Sequence, residues 1–210
     1  MATFDERAKE WDTPERIERA DEVARAIDEA VPIDRSMRAI EIGAGTGLLG
    51  LHFADRVASL LLTDPSAGMI EVAEEKVRRV AIPNVATKRY ELGADPLPGR
   101  DFDLLLSLLV LHHIKDTAGA FRAAHDLLAP GGRLAMADLD TEDGSFHSPD
   151  AEGIHHLGFD RTALEGLARE AGFDDVAFRT AATIVDEGRS YPLFLLTARR
   201  RDGAASAGTA

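Results

Sequence analysis

The residues best placed to do chemistry in this 210-residue chain surround one glycine turn. In "AIEIGAGTGLLGLHF", residues 39–53, Glu41 precedes Gly43, Gly45, Gly47 and Gly50. Two parsings fit. From Glu41 the run is E-x-G-x-G-x-G, with Ala44 inside it; from Gly45 it is G-x-G-x-x-G, the dinucleotide fingerprint. In either parsing a buried strand ends and glycines let the backbone turn tightly beside a ligand. The helix that follows then offers free N–H groups. Both parsings also expect an acid at the end of the second strand to accept ribose hydroxyls, and Asp64 fits.

Histidines form the second candidate group. His112 and His113 close "FDLLLSLLVLHH", while His147, His155 and His156 share one later polar stretch. An imidazole titrates near neutrality, so it suits general-base work, and His112 and His156 are the catalytic candidates. No metal is expected. Adjacent His155 and His156 do not easily face one ion, and no spacing such as H-E-x-x-H occurs. The chain has no cysteine, which excludes disulfides, thiolate sites and Cys nucleophiles.

Positioning these residues takes alternating strands and helices. "TPERIERADEVARAIDEAV" reads as a helix capped by Thr13, with Ile17, Ala20, Val23, Ala24 and Ile27 on one face. "RAIEI" is a buried strand, "GLLGLHFADR" a helix, "ASLLLTD" a strand and "SAGMIEVAEEKVRRV" a helix. "VATKRYEL" and "DFDLLLS" are strands, followed by a helix near "AGAFRAAHDLLA" and the strand "GRLAMADLD" after a Pro-Gly-Gly turn. This alternation argues for a parallel sheet covered by helices on both faces. "TEDGSFHSPDAEGIHHLG" breaks the rhythm as an irregular insertion. After a helix capped by Asp160, "FDDVAFRTA" and "YPLFLLTAR" have too short a link for a parallel crossover, so they pair antiparallel.

Composition narrows the partners. The formal charge of -13 argues against a nucleic-acid surface, and the cluster Arg199–Arg201 reads as a solvated strand end. Hydrophobic residues make up 45% of the chain, enough for one substantial core. No apolar run reaches the ~20 residues of a membrane span. "MATFDERAKEWD" is not a signal peptide, so a cytoplasmic location is expected. No motif bears on oligomeric state.

Three features separate the parsings. Glu41 would repel a pyrophosphate but favour an ammonium group. The chain is short for an oxidoreductase, and its antiparallel C-terminal pair is foreign to the two-halved dinucleotide fold.

"FDERAKEWD", "EIGAGTG", "TDPSAGMIEVAEEKV", "FDLLLSLLVLHHIKD" and "LLAPGGRLAMAD" occur in that order. Together they resemble the class I S-adenosylmethionine-dependent methyltransferases, in the group that includes the ubiquinone- and menaquinone-type enzymes. The resemblance implies an α/β, Rossmann-like sheet of seven strands in order 3-2-1-4-5-7-6, with strand 7 antiparallel and helices on both faces. It implies one domain over residues 1–200, with residues 1–30 as lid and first helix, 141–159 as an insertion near the site and 201–210 as a flexible tail. S-adenosylmethionine is the implied cofactor and a small molecule the implied acceptor. Glu41 would hold the donor's amino group, Gly43, Ala44, Gly45 and Gly47 its methionine part, and Asp64 its ribose hydroxyls beside Pro65. Met69 would pack on the adenine face. Glu91 with Leu92 would meet the adenine edge, where Asp95 competes with Glu91. Ser107 and Leu108 would contact the methionine moiety through backbone. Phe4, Arg7 and Trp11 would cover the cofactor, and His112 and His156 would face the acceptor. A noncatalytic donor-binding module and, more distantly, an NAD(P)-dependent oxidoreductase are the rival readings.

Overall fold

The computed structural model describes residues 3–147, 151 and 153–202 of the chain. Helix α1 (Phe4–Arg7) and a short 3-10 turn (Ala8–Glu10) lead to α2 (Pro14–Ala30), where the Thr13 hydroxyl accepts the Arg16 N–H. Strands β1 (Arg38–Ile42), β2 (Ser59–Asp64), β3 (Val85–Arg89), β4 (Phe102–Leu108), β5 (Leu128–Leu139), β6 (Phe173–Asp186) and β7 (Arg189–Arg200) form one sheet. Its order is β3-β2-β1-β4-β5-β7-β6, with β7 antiparallel to both neighbours and every other pairing parallel. That order matches the expectation and is not the six parallel strands of the dinucleotide fold.

Strand periodicity explains the layering. Successive residues point to opposite faces, so Ala39, Leu104, Leu106 and Leu195 join one core with α2, while Ile40, Leu105, Phe194 and Leu196 join the other. The helices α3 (Ala67–Arg79), α4 (Thr117–Leu127) and α5 (Arg161–Glu170) start at side-chain caps from Ser66, Asp116 and Asp160. Among the described residues, no helix is long and apolar enough to cross a membrane.

Several local expectations need correction. "GLLGLHFADR" is not an α-helix but a turn followed by a 3-10 segment, Gly50–Arg56. In an α-helix the Gly50 N–H would bond to the Thr46 carbonyl. Here it goes to Glu41 Oε2 at 2.9 Å, and the Thr46 carbonyl takes Lys76 Nζ at 2.9 Å. Ile17 is 41% exposed, because the buried stripe of α2 begins only at Ala20. Strand β3 stops at Arg89, where Asp95 turns back onto the Glu91 N–H. Strand β5 begins earlier than expected, at Leu128, and the Pro-Gly-Gly lies within a register break against β4. The link between β6 and β7 is only Glu187–Gly188, both at positive φ, as two-residue hairpin turns that follow the sheet twist require. The three C-terminal arginines reach solvent only in part or as surface pairs. Arg199 pairs with Asp202, Arg201 with Asp174, and Arg200 donates to the carbonyls of His125 and Leu128. The expected tail beyond Asp202 lies outside the described residues.

The insertion returns to the sheet instead of running loose. Asp140 bridges Phe159, the Thr141 N–H donates to the Phe159 carbonyl and the Glu142 N–H to that of Leu157. Arg161 grips Asp140 in a two-pronged ion pair at 2.7 and 2.6 Å. Gly158 makes this return possible: its φ is +72°, and a Cβ there would overlap the Asp140 carbonyl. Gly158→Ala is therefore expected to destabilise the protein by at least about 1 kcal/mol. Urea denaturation checks this, and an unchanged midpoint would show that the insertion is not anchored here.

Candidate functional site

The site lies at the carboxyl ends of the parallel strands, where open α/β sheets bind ligands. Strands β1 and β2 are cross-tied there: the Thr63 hydroxyl donates to the Glu41 carbonyl at 2.6 Å, and the Ala44 N–H to the Thr63 carbonyl at 2.8 Å. Asp64, 8% exposed, accepts the Gly45 N–H on Oδ2 and the Ser66 N–H on Oδ1, both at 2.8 Å. Burial raises its pKa, and the two amide hydrogen bonds work against that rise. Each carboxylate oxygen retains a second lone pair, so two further donors, such as vicinal hydroxyls, can still be accepted.

The three glycines differ in what they face. A Cβ on Gly43 would strike Val110, and one on Gly47 would press on Leu62 and Leu51. At both positions the chain's own packing already demands glycine. Gly45 is the exception: its missing Cβ would lie 3.5 Å from Trp11 Nε1 and 3.9 Å from Met69 Sδ, at φ +54°. Gly45 thus sits beneath Trp11 and beside Met69.

Glu41 is 2% exposed. Burial pushes its pKa up to about 8; the Gly50 N–H and Lys76 pull it down, and Asp64 pushes it further up. A carboxyl held this way is mostly protonated near neutrality.

The N-terminal segment closes over this turn. Trp11 lies between Arg7 and Arg16, 5.1 and 4.0 Å from its ring centroid, and Phe4 lies 5.7 Å from it. Asp12 accepts the Thr46 hydroxyl at 2.5 Å and pairs with Lys76 at 2.5 Å. Asp5 accepts from the Ser66 hydroxyl and the Gly68 N–H, at the start of α3. Sequence reasoning anticipated Phe4, Arg7 and Trp11 but missed Asp5, Asp12, Thr46 and Lys76, whose roles arise only from the fold.

At the β3 end, Glu91 lies two residues beyond the strand with its side chain in solvent, and Leu92 beside it is buried. Asp95 is occupied with the Glu91 N–H. The Pro65 carbonyl accepts Arg89 Nε at 2.8 Å. Ser107 is buried next to Ile42 of β1, and Leu108 ends β4.

Beyond β4 lies a row of rings. Phe4 meets His113 at 5.5 Å between centroids, His113 meets His112 at 4.1 Å, and His112 meets His147 at 5.0 Å. Phe146 follows at 4.7 Å from His147, then Tyr191 at 5.1 Å. Burial and the neighbouring His112 push the His113 pKa down to about 4. His112, 2% exposed, places Nδ1 2.7 Å from Asp138 Oδ1; Asp138, fully buried on β5, was not singled out in the sequence. His156 does not reach this row as expected. Its Nε2 is spent on the Ile114 carbonyl at 3.0 Å and the Thr117 hydroxyl at 3.1 Å, so it anchors the insertion. Among the described residues, no group of three or more His, Asp or Glu side chains is arranged to hold a metal.

Comparison with known proteins agrees with this geometry. A family model described as a methyltransferase domain matches residues 16–177. An uncharacterized methyltransferase of Schizosaccharomyces pombe is 30% identical over 170 residues, which is 73% of this chain and 60% of that protein. The ubiquinone/menaquinone biosynthesis C-methyltransferase of Pectobacterium carotovorum is 27% identical over 175 residues, 70% of each chain. A methyltransferase structure from Aquifex aeolicus superposes with a TM-score of 0.68 at 19% identity, covering 93% of this chain and 97% of that one. Phosphoethanolamine N-methyltransferase 2 of Haemonchus contortus, solved with S-adenosylmethionine, gives 0.72 at 16%, over 96% and 61%. These structural matches establish the shared fold. With the family match across most of its length and the glycine turn closed by Asp64, the chain belongs to the class I S-adenosylmethionine-dependent methyltransferases.

Proposed function

We propose that the protein transfers the methyl group of S-adenosylmethionine to a small-molecule acceptor by direct displacement. The observation that carries this reading is the convergence of Asp64, Gly45 and Met69 beneath Trp11. Bound S-adenosylmethionine supplies an already activated methyl on a sulfonium, so the chain mainly has to align, cover and dry the site. Asp64 takes the ribose hydroxyls on its remaining lone pairs, Met69 packs against the base, and Glu41 receives the ammonium. At the adenine edge we favour Glu91 with Leu92, because Asp95 is already turned back onto the Glu91 N–H. Ser107 and Leu108 border the methionine portion from β4.

A screen of small-molecule classes with S-adenosylmethionine, read by S-adenosylhomocysteine formation, tests the reading. Donor binding without turnover on any class would leave a noncatalytic binding module. In Asp64→Asn, loss of charge-assisted acceptance is expected to cost roughly 1.5–3 kcal/mol, about ten- to hundredfold in donor affinity. An unchanged Kd in calorimetry would remove Asp64 from the site.

Glu41 adds a second prediction. Its pKa of about 8 means that the free protein carries this proton at pH 7. An arriving ammonium favours the carboxylate, so donor binding should release a proton. Titration calorimetry in buffers of different ionisation enthalpy reads that proton directly. Release should vanish in Glu41→Gln, and its absence in the wild type would place the amino group elsewhere.

Donor and product must also exchange past the N-terminal cover. Residues 3–13 are held by Asp5, Asp12 and Trp11, and the two described ends of the insertion, 141–147 and 153–159, by Asp140 and Gly158. Hydrogen exchange is expected to slow in both segments when S-adenosylhomocysteine binds. Equal protection with and without it would show that neither segment acts as a lid.

A further inference from the structure

The donor site uses none of the buried polar groups around His112. Asp138 accepts from three directions: His112 Nδ1 at 2.7 Å, the His112 N–H at 3.2 Å and the Leu139 N–H at 2.7 Å. The two amides only donate, so this carboxyl acts as an acceptor at both oxygens, and Nδ1 carries the hydrogen of the His112–Asp138 contact. The lone pair is then on Nε2, which makes no hydrogen bond among the described residues. One imidazole nitrogen fixed by a buried carboxylate and the other left basic is the geometry of a general base.

The surroundings indicate what such a base would meet. His112, His147, Phe146 and Tyr191 form a row of rings at 4.7–5.1 Å between successive centroids, a surface suited to a flat molecule. His147 Nε2 and Glu142 Oε1 are buried atoms with no partner among the described residues, which leaves them for polar substituents of that molecule. The choice among nucleophiles follows from acidity. Among flat acceptors, an aromatic amine is neutral near pH 7 and offers its lone pair without first losing a proton, and a thiol with a pKa near ~8.5 already supplies some thiolate at neutral pH. A phenolic hydroxyl, near ~10, supplies almost none, so a held base helps it most.

Resting on the methyltransferase reading, we propose that the acceptor is an aromatic hydroxyl compound, that His112 is its general base and that Asp138 is the positioning residue. The acceptor oxygen bonds to the methyl carbon while the carbon–sulfur bond breaks, its electron pair going to sulfur. The hydroxyl proton passes to His112 Nε2 and later to solvent. Products are the methyl ether and S-adenosylhomocysteine. The titratable groups facing His112 are Asp138 from β5, His113 beside it, and His147 with Glu142 behind it from the insertion.

The test offers the full chain and S-adenosylmethionine matched phenols, anilines and thiophenols, and measures S-adenosylhomocysteine. Phenols should be the preferred series. His112→Gln and Asp138→Asn should each lower kcat by about 10²–10⁴-fold with S-adenosylhomocysteine affinity kept. In Asp138→Asn the acid limb of the kcat–pH profile should move to lower pH, because the imidazolium loses its carboxylate. A purely structural contact would not shift that limb. Should Asp138→Asn fail to fold, nitrogen-15 NMR of the wild type decides, with His112 expected to be protonated at Nδ1 and bare at Nε2. Turnover confined to anilines or thiophenols overturns the proposal and leaves methyl transfer standing. No turnover in any of the three series overturns this proposal, and the methyltransferase reading falls only if the wider acceptor screen also yields no S-adenosylhomocysteine. A folded Asp138→Asn enzyme with unaltered kcat and limb, or His112 protonated at Nε2, also overturns the proposal.

Discussion

One carboxylate organises the donor side of this protein. Asp64 ends β2 and binds the Gly45 N–H of the neighbouring turn and the Ser66 N–H that opens α3. Three elements therefore meet at two oxygens. The arrangement fixes Gly45 at positive φ, with Met69 on one side and Trp11 above. Burial disfavours a charge at this point, and the amide donors partly offset that cost. The same carboxylate raises the proton affinity of Glu41, so the two acids at the turn are electrostatically linked. A ligand with both hydroxyls and an ammonium relieves both tensions at once.

Beyond β4 the structure is built from rings. Phe4, His113, His112, His147, Phe146 and Tyr191 run in sequence from the N-terminal cover to β7. This row joins the two polar segments that flank the sheet. Asp138 fixes its middle at His112, and the His112 carbonyl receives the His155 N–H at 2.9 Å, which holds the insertion against the same residue.

Much of this was legible in the sequence because it is local or periodic. The glycine turn, Asp64 and the alternation of strands and helices follow from short motifs and apolar runs. The short last link gives the antiparallel C-terminal pair, whereas the full strand order comes from the family resemblance. The failures are non-local. The helix expected over residues 47–56 is displaced by Glu41 taking the Gly50 N–H and Lys76 taking the Thr46 carbonyl, and neither contact is visible in propensity. Asp138 and Asp140 share the same period in "AMADLD", yet one orients His112 while the other binds Arg161. Only the return of the insertion at Phe159 separates them. His156 stood beside His112 as a catalytic candidate in the sequence. Backbone geometry puts His156 on Ile114 and Thr117 instead.

The central claim is that Asp64 exchanges spare acceptor capacity for the ribose of the methyl donor while still holding the turn. A crystal structure of the complex with S-adenosylhomocysteine tests it most directly. The account predicts both ribose hydroxyls on the Asp64 carboxylate, the Gly45 and Ser66 amides still bound to it, and Trp11 covering the ligand. A complex in which the ribose contacts another residue and Asp64 bonds only to the chain would contradict it.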